Sequence, residues 1–425
     1  MQHKITKHHL ANGISLVMIP LESATSVTTI ALMGVGSRYE SDQQRGIAHF
    51  TEHMVFKGGR KYTTAQQVAQ ALDAVGGDFN AFTSQEFTGF FTKTAGQHLE
   101  LGIDVLSDIM LHATFPEVEL EKEKGVIIEE INMYEDMPMR KVDQVLNSQV
   151  YGDTGMGRPI LGNKESIASY ARQDFLNYRK QFYRGVQCTV VIAGNFDPRQ
   201  ATKWVEQYFA ELPAGEPYQP APAVFHTDTP RVVIEEKASE QTHLMLAAKG
   251  YPLDHPKRHA YRLLATILGG NMSSRLFVSV REEQGLCYYV RAGIDAYQDT
   301  GMLVASAGVD NFRLNLAVAA IMQEFAKIKN EPVTAQELER AKQFSVGKLL
   351  LSLEDSEEVA EYYGMQDLLL KRIETPEEIE AATLAVTAAE VQDVARELLT
   401  EDNLRLAVIG PHQDQMALDQ LLKLS

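Results

Sequence analysis

Two stretches of this chain come back a second time. Phe115 to Lys124 is echoed at Pro332 to Lys342, and the apolar run ending Val191-Ile192-Ala193-Gly194 is echoed at Ala407-Val408-Ile409-Gly410. The offsets, 218 from Lys124 to Lys342 and 216 from Gly194 to Gly410, nearly agree, which marks one structural plan used twice. A chain of 425 residues also exceeds what one hydrophobic core usually serves. Pro213, Pro217, Pro220 and Pro222 crowd together with little apolar periodicity, a linker composition. The expected division is therefore 1–212 and 231–425, with 213–230 as linker.

Within the first half the local signals alternate between strand and helix. Gly13 to Pro20 and Ser26 to Val35 read as strands, and 78–92 as two aromatic- and Thr-rich strands with a short connection. Cys188 to Asn195 reads as a buried strand. Helical spacing runs over Gln97 to His112, over Pro116 to Tyr134, and again to about Val150. Thr63-Thr64-Ala65-Gln66 has capping-box spacing and opens a helix that ends at Gly76-Gly77.

Composition narrows the function classes. A net charge of −17 argues against nucleic acid as the main partner. The acidic balance could favour basic peptides, but plain solubility is the simpler explanation. No apolar run is long enough for a signal peptide or a membrane span, so no membrane insertion is expected and the cytoplasm is the expected location. Cys188 and Cys287 are the only cysteines, which is too few for a disulfide framework and leaves any metal site to His and carboxylates.

The chemistry concentrates in Ile47-Ala48-His49-Phe50-Thr51-Glu52-His53-Met54-Val55-Phe56, which reads H-x-x-E-H. The helix is expected over Gly46 to Phe56, with Lys57-Gly58-Gly59 as its stop signal. On that helix His49 and His53 project from one face about one turn apart, a spacing at which two imidazoles can share a zinc ion. Manganese or cobalt would suit the same donors. Glu52 reaches the same face, where a carboxylate can take a proton from an activated water. H-x-x-E-H is the inverzincin order of a zinc-peptidase motif.

A catalytic zinc needs a third protein ligand and an open position. Glu129 and Glu130 both lie among Ile127, Ile128 and Ile131, where a charge is costly unless paired or metal-bound. At about 100° per residue, Glu123 and Glu130 lie about 20° apart on one face, while Glu129 points about 100° away. Glu130 is then the candidate ligand and Glu123 an auxiliary carboxylate; a solvated acidic face is the plain alternative, and it suits Glu121. Beyond the linker, the position of the motif helix falls at Leu264 to Met272, which holds no metal ligand.

These residues resemble the pitrilysin/insulinase family of zinc peptidases, and the two-copy layout is similar to its bacterial branch and to the β subunit of the mitochondrial processing peptidase. The most specific part is H-x-x-E-H followed by Glu130 after 76 intervening residues, with Glu123 seven residues earlier. The resemblance implies zinc ligands at His49, His53 and Glu130, one zinc per chain, a catalytic base at Glu52 and an auxiliary acid at Glu123. It matches Asn80, Ala81 and Phe82 to an edge strand to which an extended substrate adds. Arg281 and Tyr288, seven apart, match a pair that holds the substrate backbone from the metal-free half.

The implied fold is α+β, each half a mostly antiparallel sheet with helices on one face, the halves closing as a clamshell. The implied activity is zinc-dependent hydrolysis of unstructured peptides in an enclosed chamber. The glycine-rich loop of the non-catalytic mitochondrial partner is not evident, which points to an active-type subunit working alone or as a homodimer. The alternative is a non-catalytic scaffold or peptide-binding subunit of the same fold.

Overall fold

The computed structural model describes residues 4–424, so the first three residues of the expected first domain and the last residue of the second lie outside it. The first sheet is built from β1 (Thr6–His9), β2 (Ser15–Pro20), β3 (Ser26–Met33), β4 (Asp78–Thr83), β5 (Thr88–Ala95) and β6 (Cys188–Gly194). The second is built from β7 (Val232–Glu236), β8 (Gln241–Lys249), β9 (Cys287–Ala296), β10 (Gly301–Asp310) and β11 (Leu404–Gly410). The spatial orders are β1-β2-β6-β3-β5-β4 and β7-β11-β8-β10-β9. Leaving out β1, the two orders follow one plan. In each sheet a single neighbouring pair is parallel, β2 with β6 and β7 with β11. The fold is α+β with two like sheets, as the repeat implies.

Helices of the first half include α1 (Ile47–Val55), α2 (Ala65–Asp73), α3 (Leu99–His112), α4 (Glu117–Asp136) and α5 (Pro138–Tyr151). The cap of α2 sits one residue later than the spacing suggests: Thr64, in extended conformation, accepts from the Gln67 amide. Among the described residues no helix is long and apolar enough to cross a membrane.

Helices cover one face of each sheet as expected, and a single further helix covers the opposite face. Both β6 and β11 are buried at every residue, which requires cover on both sides. On the first sheet that helix is Ser356–Met365, whose Val359, Ala360 and Tyr363 pack against Val17, Ile19, Ile30, Leu32, Val191 and Ala193. Its first residue is tied down by the hydroxyls of Ser356 and Thr28, 2.8 Å apart. On the second sheet the cover is α5, whose Val142, Leu146, Val150 and Tyr151 meet Met245, Ala247, Met302, Val304, Ala407 and Ile409.

Each cover helix is distant in sequence from most of its sheet. One compact unit consists of the residues up to Ile131, Pro159–Ala221 and Leu350–Thr375. The other consists of Asn132–Arg158, Pro222–Leu349 and Pro376 onward. This differs from the contiguous division 1–212 and 231–425 by two exchanged segments, because the apolar stripe of each segment packs on the sheet encoded in the other half. Truncating the stripe of α5 with Leu146→Ala should cost about 3 kcal/mol of stability, read as a lowered midpoint in denaturant unfolding.

Candidate metal centre

The centre begins with the way α1 is fixed. Gly46 precedes the helix at φ 85°, and a Cβ there would lie 2.5 Å from the Leu161 carbonyl oxygen, so only glycine fits. The Glu40 carboxylate accepts from the amides of Gly46 and Ala48, each at 2.8 Å, and so occupies donors that a helix start leaves open. Ile47, Phe50, Met54 and Val55 are buried, with the Phe50 and Phe175 rings edge to face at 4.9 Å. The rotation of α1 is thereby set, and its other face carries His49, Glu52 and His53.

Helix α4 presents the partner carboxylates. Leu120, Ile127 and Ile131 form its buried stripe, and Glu123 falls in the same stripe, at a position where spacing calls for an apolar side chain. Glu130 follows two turns after Glu123. The Glu130 Oε2 lies 3.6 Å from the Nε2 of His49 and 3.6 Å from the Nε2 of His53. That is too long for a hydrogen bond. Two donors bound to one tetrahedral zinc at about 2.1 Å each lie roughly 3.4 Å apart. The three donor atoms, all within 4.8 Å of one another, thus face a common point at a separation that fits a shared cation.

Electrostatics agree with that fit. Burial, aided by the neighbouring His53, holds His49 down to about 3, so its imidazole is neutral at ordinary pH and offers a lone pair. The Nδ1 of His53 pairs with the Glu123 Oε2 at 3.2 Å, leaving Nε2 for a metal. Glu123 is itself held by Lys57, whose Nζ is 2.7 Å from its Oε1. Burial raises the proton affinity of Glu52, opposed by the hydrogen bond from Thr83, whose Oγ1 donates to Oε2 at 2.6 Å.

The sequence-derived residues fall into two groups. His49, His53, Glu130, Glu52 and Glu123 come together here. Asn80, Ala81 and Phe82 lie in β4, the edge of the first sheet, with Ala81 buried and Asn80 exposed. Arg281 and Tyr288 meet each other in the second unit. The Arg281 guanidinium lies over the rings of Phe277 and Tyr288, at 4.8 and 5.9 Å from their centroids. The register skips Tyr288, since Gly308 faces Tyr289 and Val309 faces Cys287. That bulge turns Tyr288 outward, and it is 76% exposed.

Two residues of the centre escaped the sequence reading. Lys57 was legible only as a helix-stop residue, and Thr83 only as part of a β-rich run. Their partners, Glu123 and Glu52, are 66 and 31 residues away by number, and no local spacing links them.

Fold and side chains together define an α+β protein of two like units, one of them carrying a His/His/Glu cluster with a neighbouring carboxylate. The chain matches the family described as insulinase (peptidase family M16) over residues 16–164 and the peptidase M16 inactive domain over residues 169–344. It is 37% identical over 410 residues to a Bacillus subtilis protein named an uncharacterized zinc protease, YmxG, covering 96% of this chain and 98% of that one. A solved protease from Helicobacter pylori superposes with a TM-score of 0.88 at 21% identity, over 97% of this chain and 100% of that one. A chain of complex III2 from Candida albicans, solved with Inz-5 bound, superposes with a TM-score of 0.85 at 18% identity, over 99% of this chain and 100% of that one. The chain belongs to the insulinase (peptidase M16) family.

Outer residues that orient a metal ligand typically contribute roughly ten- to a hundredfold to metal affinity. Glu123→Ala should weaken zinc binding by about that range, and Lys57→Met by a smaller factor, in competition titrations against a chelating dye. Equal affinity in all three proteins would show that His53 needs no outer support.

Proposed function

We propose that this chain is a zinc-dependent endopeptidase that hydrolyses internal bonds of unstructured peptides. The observation that carries the reading is the convergence of His49, His53 and Glu130 on one point, with the Glu52 carboxylate beside it. One zinc ion held by those three side chains supplies a Lewis acid that makes an attacking water acidic near neutral pH. Glu52 accepts a proton from that water and later passes it to the departing amine nitrogen. Glu123 keeps His53 in the tautomer that leaves Nε2 available.

The edge strand β4 suits an extended peptide, because backbone pairing along Asn80, Ala81 and Phe82 holds a chain with little side-chain selection. Arg281 and Tyr288 take the backbone-holding role that the family resemblance assigns, and their mutual stacking supports it. A scaffold role, as in relatives of this fold within respiratory complexes, would need none of the donor set that this chain keeps.

The test is digestion of a mixed library of unstructured peptides by the zinc-loaded protein, read by mass spectrometry. Internal cleavage is expected, lost with a chelator and restored by zinc. Glu52→Gln should still bind zinc while losing turnover by roughly a hundredfold or more. A zinc-loaded wild-type chain that cleaves nothing would favour the scaffold reading.

A further inference from the structure

We propose that Thr83 is a positioning residue for Glu52, and that its hydroxyl ties the base to the edge strand β4. The proposal rests on the reading of Glu52 as the base. Thr83 Oγ1 donates to Glu52 Oε2 at 2.6 Å, the length of a strong charge-assisted bond. Among the described residues the other oxygen, Oε1, carries no hydrogen bond. The hydroxyl therefore fixes the rotation of the carboxylate and leaves one defined oxygen for proton transfer.

Thr83 is itself held firmly. It is the last residue of β4 and pairs with Thr88 across a short connection. The connection is closed by the Ser84 amide, which donates to the Phe87 carbonyl at 2.8 Å. Thr88 Oγ1 donates to the Val35 carbonyl at 2.9 Å, and Arg38 pairs with Glu86 at 2.6 Å, both buried. A hydroxyl mounted on so constrained a turn is a fixed reference point, unlike a donor on a flexible side chain.

The consequence concerns where the proton goes. A water proton accepted by Glu52 lands on Oε1, because Oε2 already receives the Thr83 hydroxyl. The same Oε1–H then faces the departing nitrogen, and the Thr83 proton never leaves its own oxygen. The residues before Thr83 are those proposed to pair with the peptide. A substrate that stiffens β4 also steadies the donor, so substrate pairing and base orientation are linked through one hydroxyl.

The test uses the zinc-loaded full chain with Thr83→Val, Thr83→Ser and Glu52→Gln, measuring kcat, KM and zinc content on one unstructured peptide. Thr83→Val removes the donor while nearly preserving shape. It should lower kcat roughly ten- to a hundredfold, with KM changed by less than about threefold and zinc content unchanged. Thr83→Ser keeps the hydroxyl and should recover most of that loss. Full turnover in Thr83→Val beside an inactive Glu52→Gln would overturn the role of Thr83 and leave the base assignment standing. Loss of zinc from Thr83→Val, or a Thr83→Ser as slow as Thr83→Val, would also overturn it by showing a structural role. An active Glu52→Gln would overturn the base assignment and this proposal with it.

Discussion

The structure turns on three donor atoms that are brought together without bonding to one another. At 3.6 Å the Glu130 oxygen makes no hydrogen bond with either imidazole nitrogen. Such an arrangement gains nothing by itself and persists only because the backbones beneath it are fixed by other interactions. Helix α1 is set by its buried apolar face and by the Glu40 carboxylate at its start. Helix α4 is set by Leu120, Ile127 and Ile131. Hydrophobic burial elsewhere holds the polar convergence in place, which is the preorganisation a catalytic metal site requires.

The second unit shows what the same plan looks like without that requirement. Its strand order copies the first, yet the helix Arg258–Gly269 is pressed onto its edge strand. A Cβ at Gly269 would stand 2.1 Å from the Ala292 amide nitrogen. With offsets of 216 to 218, the place of Glu52 falls at Leu268 to Gly270. A side chain at Gly269 would collide with the edge strand, so the helix lies closer to that strand than a carboxylate there would allow. This agrees with the match of residues 169–344 to a domain described as inactive.

Much of the centre was legible because it depends on single-helix geometry. The four-residue spacing of the histidines and the seven-residue spacing of Glu123 and Glu130 each place side chains on one face without reference to anything else. The duplication was legible for a similar reason, since it leaves a local pattern, whereas the edge strand and the α+β class followed from the family resemblance. What escaped is tertiary. The apolar stripe of α5 says that the helix buries one face, but not that it buries it on the second sheet. Lys57 and Thr83 carry no mark of the carboxylates they meet. The cap of α2 moved from Thr63 to Thr64 because two adjacent threonines satisfy the same pattern and only the backbone conformation separates them.

Charge completes the contrast between the halves. Glu52, Glu123 and Glu130 contribute three formal negative charges, Lys57 one positive, and the buried His49 none. These side chains sum to −2, which a divalent cation cancels. Unbalanced carboxylates raise each other's proton affinity, and Glu130 acts on Glu52 in this way. In the repeat the offset of 218, anchored at Lys124 and Lys342 in matching helices, puts Ala341 at the place of Glu123 and Lys348 at that of Glu130. At these two positions the repeat carries an alanine and a lysine where the first half carries carboxylates, and an ammonium opposes a cation. Among the described residues the His/His/Glu cluster thus belongs to one half by charge as well as by spacing.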